Sequence, residues 1–462
     1  MLENADPADL GDCTEPRPVY VIGAGPGGLA AAAALRARGV RAVVVEKSGE
    51  VGASWRRHYD RLHLHTTRRL SALPGLAIPR RFGRWVGRDD VVRYLEGYAE
   101  HHDLELITGV EVTRIDPAPD GPDGPGWVLH GTGGRELAAT AVVVATGFNH
   151  TPHLPDWPGR GTFTGTLRHA GEYRNAEPYA GLDVLVVGTG NTGAEIAVDL
   201  VEGGAARVRL AVRTAPHIVR RSTLGWPAQR TGILVRRLPV RLVDRLGAWV
   251  AKVSVPDLSE HGLPRPETGL YSRVREGAIP VQDVGLIDAV RAGKVVPVAA
   301  VESFDGAEVV LADGSRITPD AVVAATGYRR GLEGLVGHLG VLDERGRPRA
   351  HGPHPAGDAA APGLYFTGYT NPISGMFREL ALDAERIARA VARARAAARK
   401  AERARDRAAG KASSRAEAKA RSRAAARTGP RAAAGSDVRA AGAPGARTAP
   451  PGEARPGAVD PA

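Results

Sequence analysis

An α/β fold with two parallel sheets, one domain inserted into the other, is what this sequence predicts, and three observations lead there. The spacing Gly-x-Gly-x-x-Gly occurs twice, 165 positions apart: Gly23, Gly25 and Gly28 in PVYVIGAGPGGLAAAAAL, then Gly188, Gly190 and Gly193 in DVLVVGTGNTGAEIAVDL. Each copy follows a β-branched apolar run (Val19 to Ile22, Val184 to Val187) and opens an apolar stretch of helical character. That strand–turn–helix context turns a bare spacing into a dinucleotide loop. Two near-copies, AVVVATGF (Ala141 to Phe148) and AVVAATGY (Ala321 to Tyr328), bracket the second loop.

The elements follow in order. At the first loop, Gly23 permits the tight turn and Gly25 lets backbone N–H groups approach a pyrophosphate. Pro26 and Gly27 open the helix, and Gly28 lets it pack on the strand, its N-terminus supplying partial positive charge. The strand RAVVVEK ends in Glu46, 23 positions beyond Gly23. A carboxylate there accepts hydrogen bonds from a ribose diol and repels a 2′-phosphate, so this site reads as FAD. Pro117 to Gly126 reads as a hairpin or surface loop, and Ala145, Thr146 and Gly147 close the first nucleotide fold. Pro152, Pro155 and Pro158 mark a linker.

At the second loop Gly188, Gly190, Asn191, Thr192 and Gly193 repeat the cradle. The next strand, VRLAVR, ends in Arg213, 25 positions beyond Gly188, with no acid in the corresponding place. A guanidinium there suits a 2′-phosphate, so this site reads as NADPH; the plainer reading is one surface arginine among many. Leu238, Leu242, Leu246, Trp249 and Val253 recur at helical spacing, as core or a lid rather than a membrane-surface helix. Ala325, Thr326 and Gly327 repeat the closing motif. Gly368 and Gly375 flank Asn371-Pro372 before a helix starting near Met376, whose N-terminus would face a flavin or else simply follow a turn.

The expected layout is therefore two Rossmann-like domains: a disordered stretch over 1–17, an FAD domain over 18–152 and 320–398, an NADPH domain over 153–319, and a tail over 399–462. The net charge is +11, yet residues 389–462 alone hold 18 basic and 6 acidic residues, leaving the body near neutral. Ala and Arg favour helix through about Ala409; beyond it the composition predicts disorder. Such a tail is a solvated extension on the plainer reading and a nonspecific contact for polyanions on the other, with no specific nucleic-acid partner implied. Cys13 is the only cysteine, which excludes an internal disulfide and a Cys-x-x-Cys redox pair. No uncharged apolar run reaches ~18 residues, and the acidic N-terminus carries no h-region, so the cytoplasm is the expected compartment. His63 with His65, and His351 with His354, find no acid or Cys to complete a set, so no metal is expected.

Phe163-x-Gly165-x-x-x-His169-x-x-x-Tyr173 stands before the second loop. With both loops and both Ala-Thr-Gly strands it resembles the signature of the class B flavoprotein (flavin-containing) monooxygenases. The block SWRRHYDRLHLHTTRRLSALPG (Ser54 to Gly75) is similar to that of the plant YUCCA flavin monooxygenases, which convert indole-3-pyruvate to indole-3-acetate, and GLYFTGYTNPISGMFRELALDAERIA resembles their C-terminal flavin segment. The resemblance spans roughly Pro18 to Ala398. It implies that Ser54 and Trp55 lie along the flavin beside Thr66. It also implies that His65 stands where animal relatives place an Asn between flavin and nicotinamide, and that Asn371 belongs to the catalytic region. His169 would couple the domains rather than act on substrate.

The chemistry so implied is reduction of FAD by NADPH, addition of O₂ to form a C4a-(hydro)peroxyflavin, and oxygen transfer to a small molecule. The transfer is N- or S-oxygenation, or oxidative decarboxylation of an α-keto acid, for whose carboxylate Arg56, Arg61, Arg68 and Arg378 are candidates. The alternative is an NADPH-dependent FAD dehydrogenase or quinone reductase without oxygen insertion. A homodimer stays open.

Overall fold

The computed structural model describes residues 17–121, 124–223, 225–235, 238–355 and 362–427. Cys13 and the acidic N-terminus lie outside them.

The first parallel sheet has the order Leu364–Phe366, Ala141–Val144, Val19–Ile22, Ala42–Glu46, Glu105–Thr108. Its central strands are apolar apart from Glu46 at the end of one, because both faces are covered, the usual state of a parallel sheet. Alternate residues sort by face. Val19, Val21, Val44 and Val143 meet helices Pro26–Arg36, Arg88–His101 and the start of Met376–Arg427 through Leu29, Leu95, Tyr98 and Ile387. Tyr20, Ile22, Val43, Val45, Val142 and Val144 meet Ile115, Trp127 and Leu129. Those belong to an antiparallel sheet of Val112–Gly121, Gly124–Gly131 and Arg135–Ala139, so the Pro117–Gly126 segment is a hairpin.

The second sheet repeats this construction in the order Val295–Ala299, Arg207–Val212, Asp183–Val187, Ala321–Ala324, Thr166–His169, all parallel. Helices Asn191–Glu202 and Leu286–Arg291 cover one face through Ile196, Leu200, Ile287 and Val290. Phe304, Val309 and Leu311 of a small antiparallel sheet cover the other.

One domain boundary needs correction. The expected return at residue 320 put Ala321–Ala324 in the first domain, but Ala321 pairs with Val184 and Ala324 with Val187. Each Ala-Thr-Gly strand flanks its own loop strand, so the repeat marks a core position in each sheet rather than a seam. The chain crosses instead where Tyr328–Arg329 pairs antiparallel with Thr151–Pro152.

Two further expectations change. Leu238, ahead of helix Val240–Ser254, and Leu242 and Trp249 on it are exposed, Trp249 to 67%, so the helix face that carries Leu242 and Trp249 is not core; Val243 is its buried contact. The side chains of Leu246 and Val253 lie outside the described residues. The last helix runs past Ala409 to Arg427, where disorder was expected. Its Ala, Arg, Lys and Glu content is strongly helix-forming, and side chains from Ala401 to Arg423 are exposed. Among the described residues no helix is long and apolar enough to cross a membrane, and no group of three or more His, Cys, Asp or Glu converges.

Candidate active site

The two Gly-rich loops are built to the same dimensions. Gly23 has φ +106° and Gly188 φ +112°, a region that side chains avoid. A Cβ on Gly28 would lie 1.8 Å from the Gly23 carbonyl oxygen, and one on Gly193 would lie 1.9 Å from that of Gly188. Strand and helix therefore touch backbone to backbone at each loop. Over Gly25 and Gly190, by contrast, a Cβ would meet nothing within 4 Å. Each loop is thus tight beneath and open above, with helices Pro26–Arg36 and Asn191–Glu202 starting there. Ala145 and Ala325 cover Gly23 and Gly188 from the neighbouring strands, their carbonyl oxygens 2.6 and 2.5 Å from where a Cβ would stand.

The rims differ. Glu46 turns back over the first loop: Oε2 accepts the Ala24 N–H at 2.7 Å and Oε1 accepts the Ser48 N–H at 2.9 Å. Arg213 is exposed at the end of its strand and forms no hydrogen bond or ion pair among the described residues. Thr189 Oγ1 donates to the Thr214 carbonyl, 3.3 Å, which ties this rim to its loop. Asn191 spends its side chain on neighbours, accepting from Gln282 N–H at 2.7 Å and donating to the Pro280 carbonyl at 3.2 Å.

The Ser54–Gly75 block carries the first domain onto the second. Arg61 pairs with Asp199 and Glu202 at 3.3 and 2.9 Å, Tyr173 donates to Asp199 at 2.7 Å, and Tyr59 meets Tyr173 edge-on. Within this block His65 Nε2 stands 2.8 Å from Oε1 of buried Glu195, on the helix after the second loop. Tyr59 donates to Glu195 Oε2 at 3.1 Å. Trp55 packs edge-on against Phe377 at 5.6 Å, at the start of the last helix; Ser54 is exposed. Thr66 Oγ1 shares a 2.7 Å hydrogen bond with Ser71, and its methyl lies 2.6 Å from where a Cβ on Gly375 would stand.

Behind them, Gln229 accepts the Thr67 N–H at 3.0 Å and donates to the Ser374 carbonyl at 2.8 Å. Thr146 shares a 2.8 Å hydrogen bond with Tyr369. Gly147, Gly327 and Gly368 all hold positive φ, and Thr326 donates to the His153 carbonyl. Asn371 donates to the Gly277 carbonyl at 3.0 Å and lines a cavity of about 560 Å³ with Arg275, His351 and Ser374; no hydrogen bond joins it to His65. His169 accepts the Gly171 N–H at Nδ1 and bonds the Gly327 carbonyl through Nε2, each at 3.0 Å. Both ring nitrogens are committed, to Gly171 two positions on and to Gly327 just after the neighbouring strand of the same sheet.

Residues 20–224 match the family described as pyridine nucleotide-disulphide oxidoreductase. The indole-3-pyruvate monooxygenase YUCCA1 of Oryza sativa subsp. japonica is 38% identical over 355 residues, covering 76% of this chain and 86% of that protein. The probable indole-3-pyruvate monooxygenase YUCCA3 of Arabidopsis thaliana is 32% identical, over 80% and 86% respectively. The chain belongs to the YUCCA-type flavin monooxygenases. The fold agrees. A flavin-containing monooxygenase from Stenotrophomonas maltophilia superposes with TM-score 0.60 over 82% of this chain and 98% of its own, at 23% identity. An open cyclohexanone monooxygenase does so with TM-score 0.60 over 82% and 87%, at 19% identity.

As a YUCCA-type enzyme the protein is an FAD- and NADPH-dependent monooxygenase, and the residues present fit both nucleotides. Above Gly25 and Gly190 there is room for a pyrophosphate to reach backbone N–H groups. Thr367 Oγ1 is buried without a partner beside Gly27, and such groups ordinarily find one. Sequence reasoning missed Thr367, Tyr369, Tyr59 and Glu195. For Glu195 a signal existed: an acid flanked by Ala194, Ile196 and Ala197 on a helix buried nearly all round. Gln229 had none, because its partners lie 162 and 145 positions away.

Beside Tyr59, burial pushes the His58 imidazole down to about 4, with Arg174 and Arg88 adding to it. The folded value lies below the unfolded one, so the unfolded chain takes the proton first. Stability is then full above pH ~6.5 and lost as pH falls toward 4, by about 2–3 kcal/mol from this residue. His58→Asn should flatten the acid limb of a denaturation profile over that window; an unchanged limb would show that His58 is not held neutral.

Proposed function

We propose that the first loop holds FAD and the second NADPH, and that the enzyme oxidatively decarboxylates an indolic α-keto acid, indole-3-pyruvate or a close analogue. One observation carries the substrate class: 38% identity to an indole-3-pyruvate monooxygenase over 86% of that protein's length. Glu46 and Arg213 support the order of the nucleotides. Bound FAD, once reduced by NADPH, supplies the activation of O₂. The chain's part is to bind, orient and keep out water. Trp55 and Phe377 wall the first site with aromatic surface, and the Ser54–Gly75 block closes it against the second domain.

The four arginines first considered for the substrate carboxylate are occupied. Arg56 pairs with Glu50 and Glu96, Arg61 with Asp199 and Glu202, and Arg378 with Glu379. Arg68 donates to the Gly83 and Ile78 carbonyls. Arg275 on the wall of the 560 Å³ cavity forms no ion pair among the described residues, and this cavity is of a size that takes a small organic ligand. Arg275 is our choice for that carboxylate.

The overall reaction would turn keto acid, O₂, NADPH and a proton into the shortened acid, CO₂, water and NADP⁺. Turnover with indole-3-pyruvate under ¹⁸O₂ should place one labelled oxygen in the indole-3-acetate carboxylate, one acid per NADPH. Arg275→Ala should raise KM for the keto acid about tenfold, the size of one charge-assisted hydrogen bond, with NADPH-driven flavin reduction intact. Unlabelled product, or NADPH oxidation matched only by H₂O₂, would replace this reading with a reductase or oxidase.

A further inference from the structure

We propose that Glu195 is the positioning residue for His65, fixing which ring nitrogen faces the two bound nucleotides. The inference rests on the reading that flavin and nicotinamide meet at His65. Glu195 sits two positions after Gly193, on the helix that starts at the second loop, whereas His65 arrives from the first domain. The pair therefore spans the two nucleotide folds. Tyr59 settles how the carboxylate is shared. Burial raises the Tyr59 phenol well above its ordinary value, so it stays protonated and donates to Oε2 at 3.1 Å. Oε1 is left for His65 Nε2 at 2.8 Å.

A carboxylate only accepts, so a Glu195 contact at Nε2 selects the Nε2–H tautomer, the one that presents Nδ1 as a bare acceptor. Nδ1 is buried without a partner, and Glu195 Oε1, for all its closeness to Nε2, lies off the axis of a linear hydrogen bond. Short but misaligned contacts of this kind are what catalytic hydrogen bonds show before a ligand completes them. The fitting partner for Nδ1 is an amide or imide N–H, a group that both nicotinamide and flavin rings carry. Fold stability gives little reason for an acid here, because a buried carboxylate loses hydration that one phenol hydrogen bond and a neighbouring imidazole restore only in part.

The test uses the full-length FAD-loaded enzyme with Glu195→Gln, an isosteric change that can still accept from Tyr59, and His65→Ala. In protein labelled with ¹⁵N-histidine, the His65 resonance is assigned by its loss in His65→Ala. It should report the Nε2–H tautomer in the parent and a different or mixed tautomer in Glu195→Gln. Anaerobic flavin reduction by NADPH should slow on the order of 10- to 100-fold in Glu195→Gln, the usual effect of removing a carboxylate that orients a working histidine. The double variant should be no slower than His65→Ala alone, the non-additivity of residues acting as a unit. An unchanged tautomer, or additive losses, would overturn the assignment. Normal reduction in His65→Ala would overturn it too while leaving the monooxygenase reading intact; that reading is tested separately, by the fate of ¹⁸O₂ in the parent enzyme.

Discussion

Gly28→Ala should yield a protein that binds no FAD, whereas Gly25→Ala, three positions earlier, should yield one that is folded and still nearly flavin-free. The two lose flavin for different reasons. At Gly28 the added carbon would sit 1.8 Å from the Gly23 carbonyl oxygen, far inside any real contact. Helix Pro26–Arg36 would have to back away from its strand, and overpacking of this kind costs about 1–3 kcal/mol or more. At Gly25 the backbone already has φ −82°, which alanine adopts freely, and nothing lies within 4 Å. Stability should therefore stay within about 0.5 kcal/mol of the parent.

What the Gly25 methyl occupies is the space into which a pyrophosphate must come to reach the backbone N–H groups. Flavin affinity should fall at least roughly 100-fold, about 2.7 kcal/mol. Gly190→Ala is the mirror case and should leave the protein yellow while weakening NADPH. Flavin content by absorbance and melting by circular dichroism separate these outcomes. Gly25→Ala that keeps its flavin, with Gly190→Ala that loses it, would exchange the assignments of the two loops.

The loops were legible in sequence because their physics is local. Three glycines, a β-branched strand and a helix start lie within a dozen residues, and each has a reason that needs no distant partner. The places of Glu46 and Arg213 were legible for the same cause, at the ends of the strands that follow. Legibility failed where function depends on contacts across the chain. Ala321–Ala324 read as a return to the first domain because its near-copy lies there, yet a copied strand repeats a role, and the role is to flank a loop strand. Asn191 read as part of the pyrophosphate cradle by position, and nothing in its spacing signals that its side chain also bonds segment 280–282. Gln229 and Asn371 tie the flavin-side loop to the second domain through backbone carbonyls, which no spacing announces. The stripe at Leu242 and Trp249 shows the converse: helical periodicity fixes which residues share a face, but not whether anything covers it; Leu238, counted with them, precedes the helix.

Arg213→Ala should discriminate between the two nicotinamide carriers more sharply than any other single change at the second site. The guanidinium stands at the end of strand Arg207–Val212, exposed and free of any ion pair among the described residues. No acid at this rim repels a 2′-phosphate as Glu46 would at the first. A phosphate monoester there gains charge-assisted hydrogen bonds worth about 1.5–3 kcal/mol, so KM for NADPH should rise about 10- to 100-fold. NADH presents a hydroxyl at the same place, and its KM should move little. Arg213→Lys should recover only part of the loss, because an ammonium supplies the charge without the planar fork. Raising the salt should weaken NADPH binding in the parent more than in Arg213→Ala, since an exposed ion pair is screened within a Debye length. Equal changes for both carriers would return Arg213 to the ordinary surface and leave the preference for NADPH to be set elsewhere along that rim.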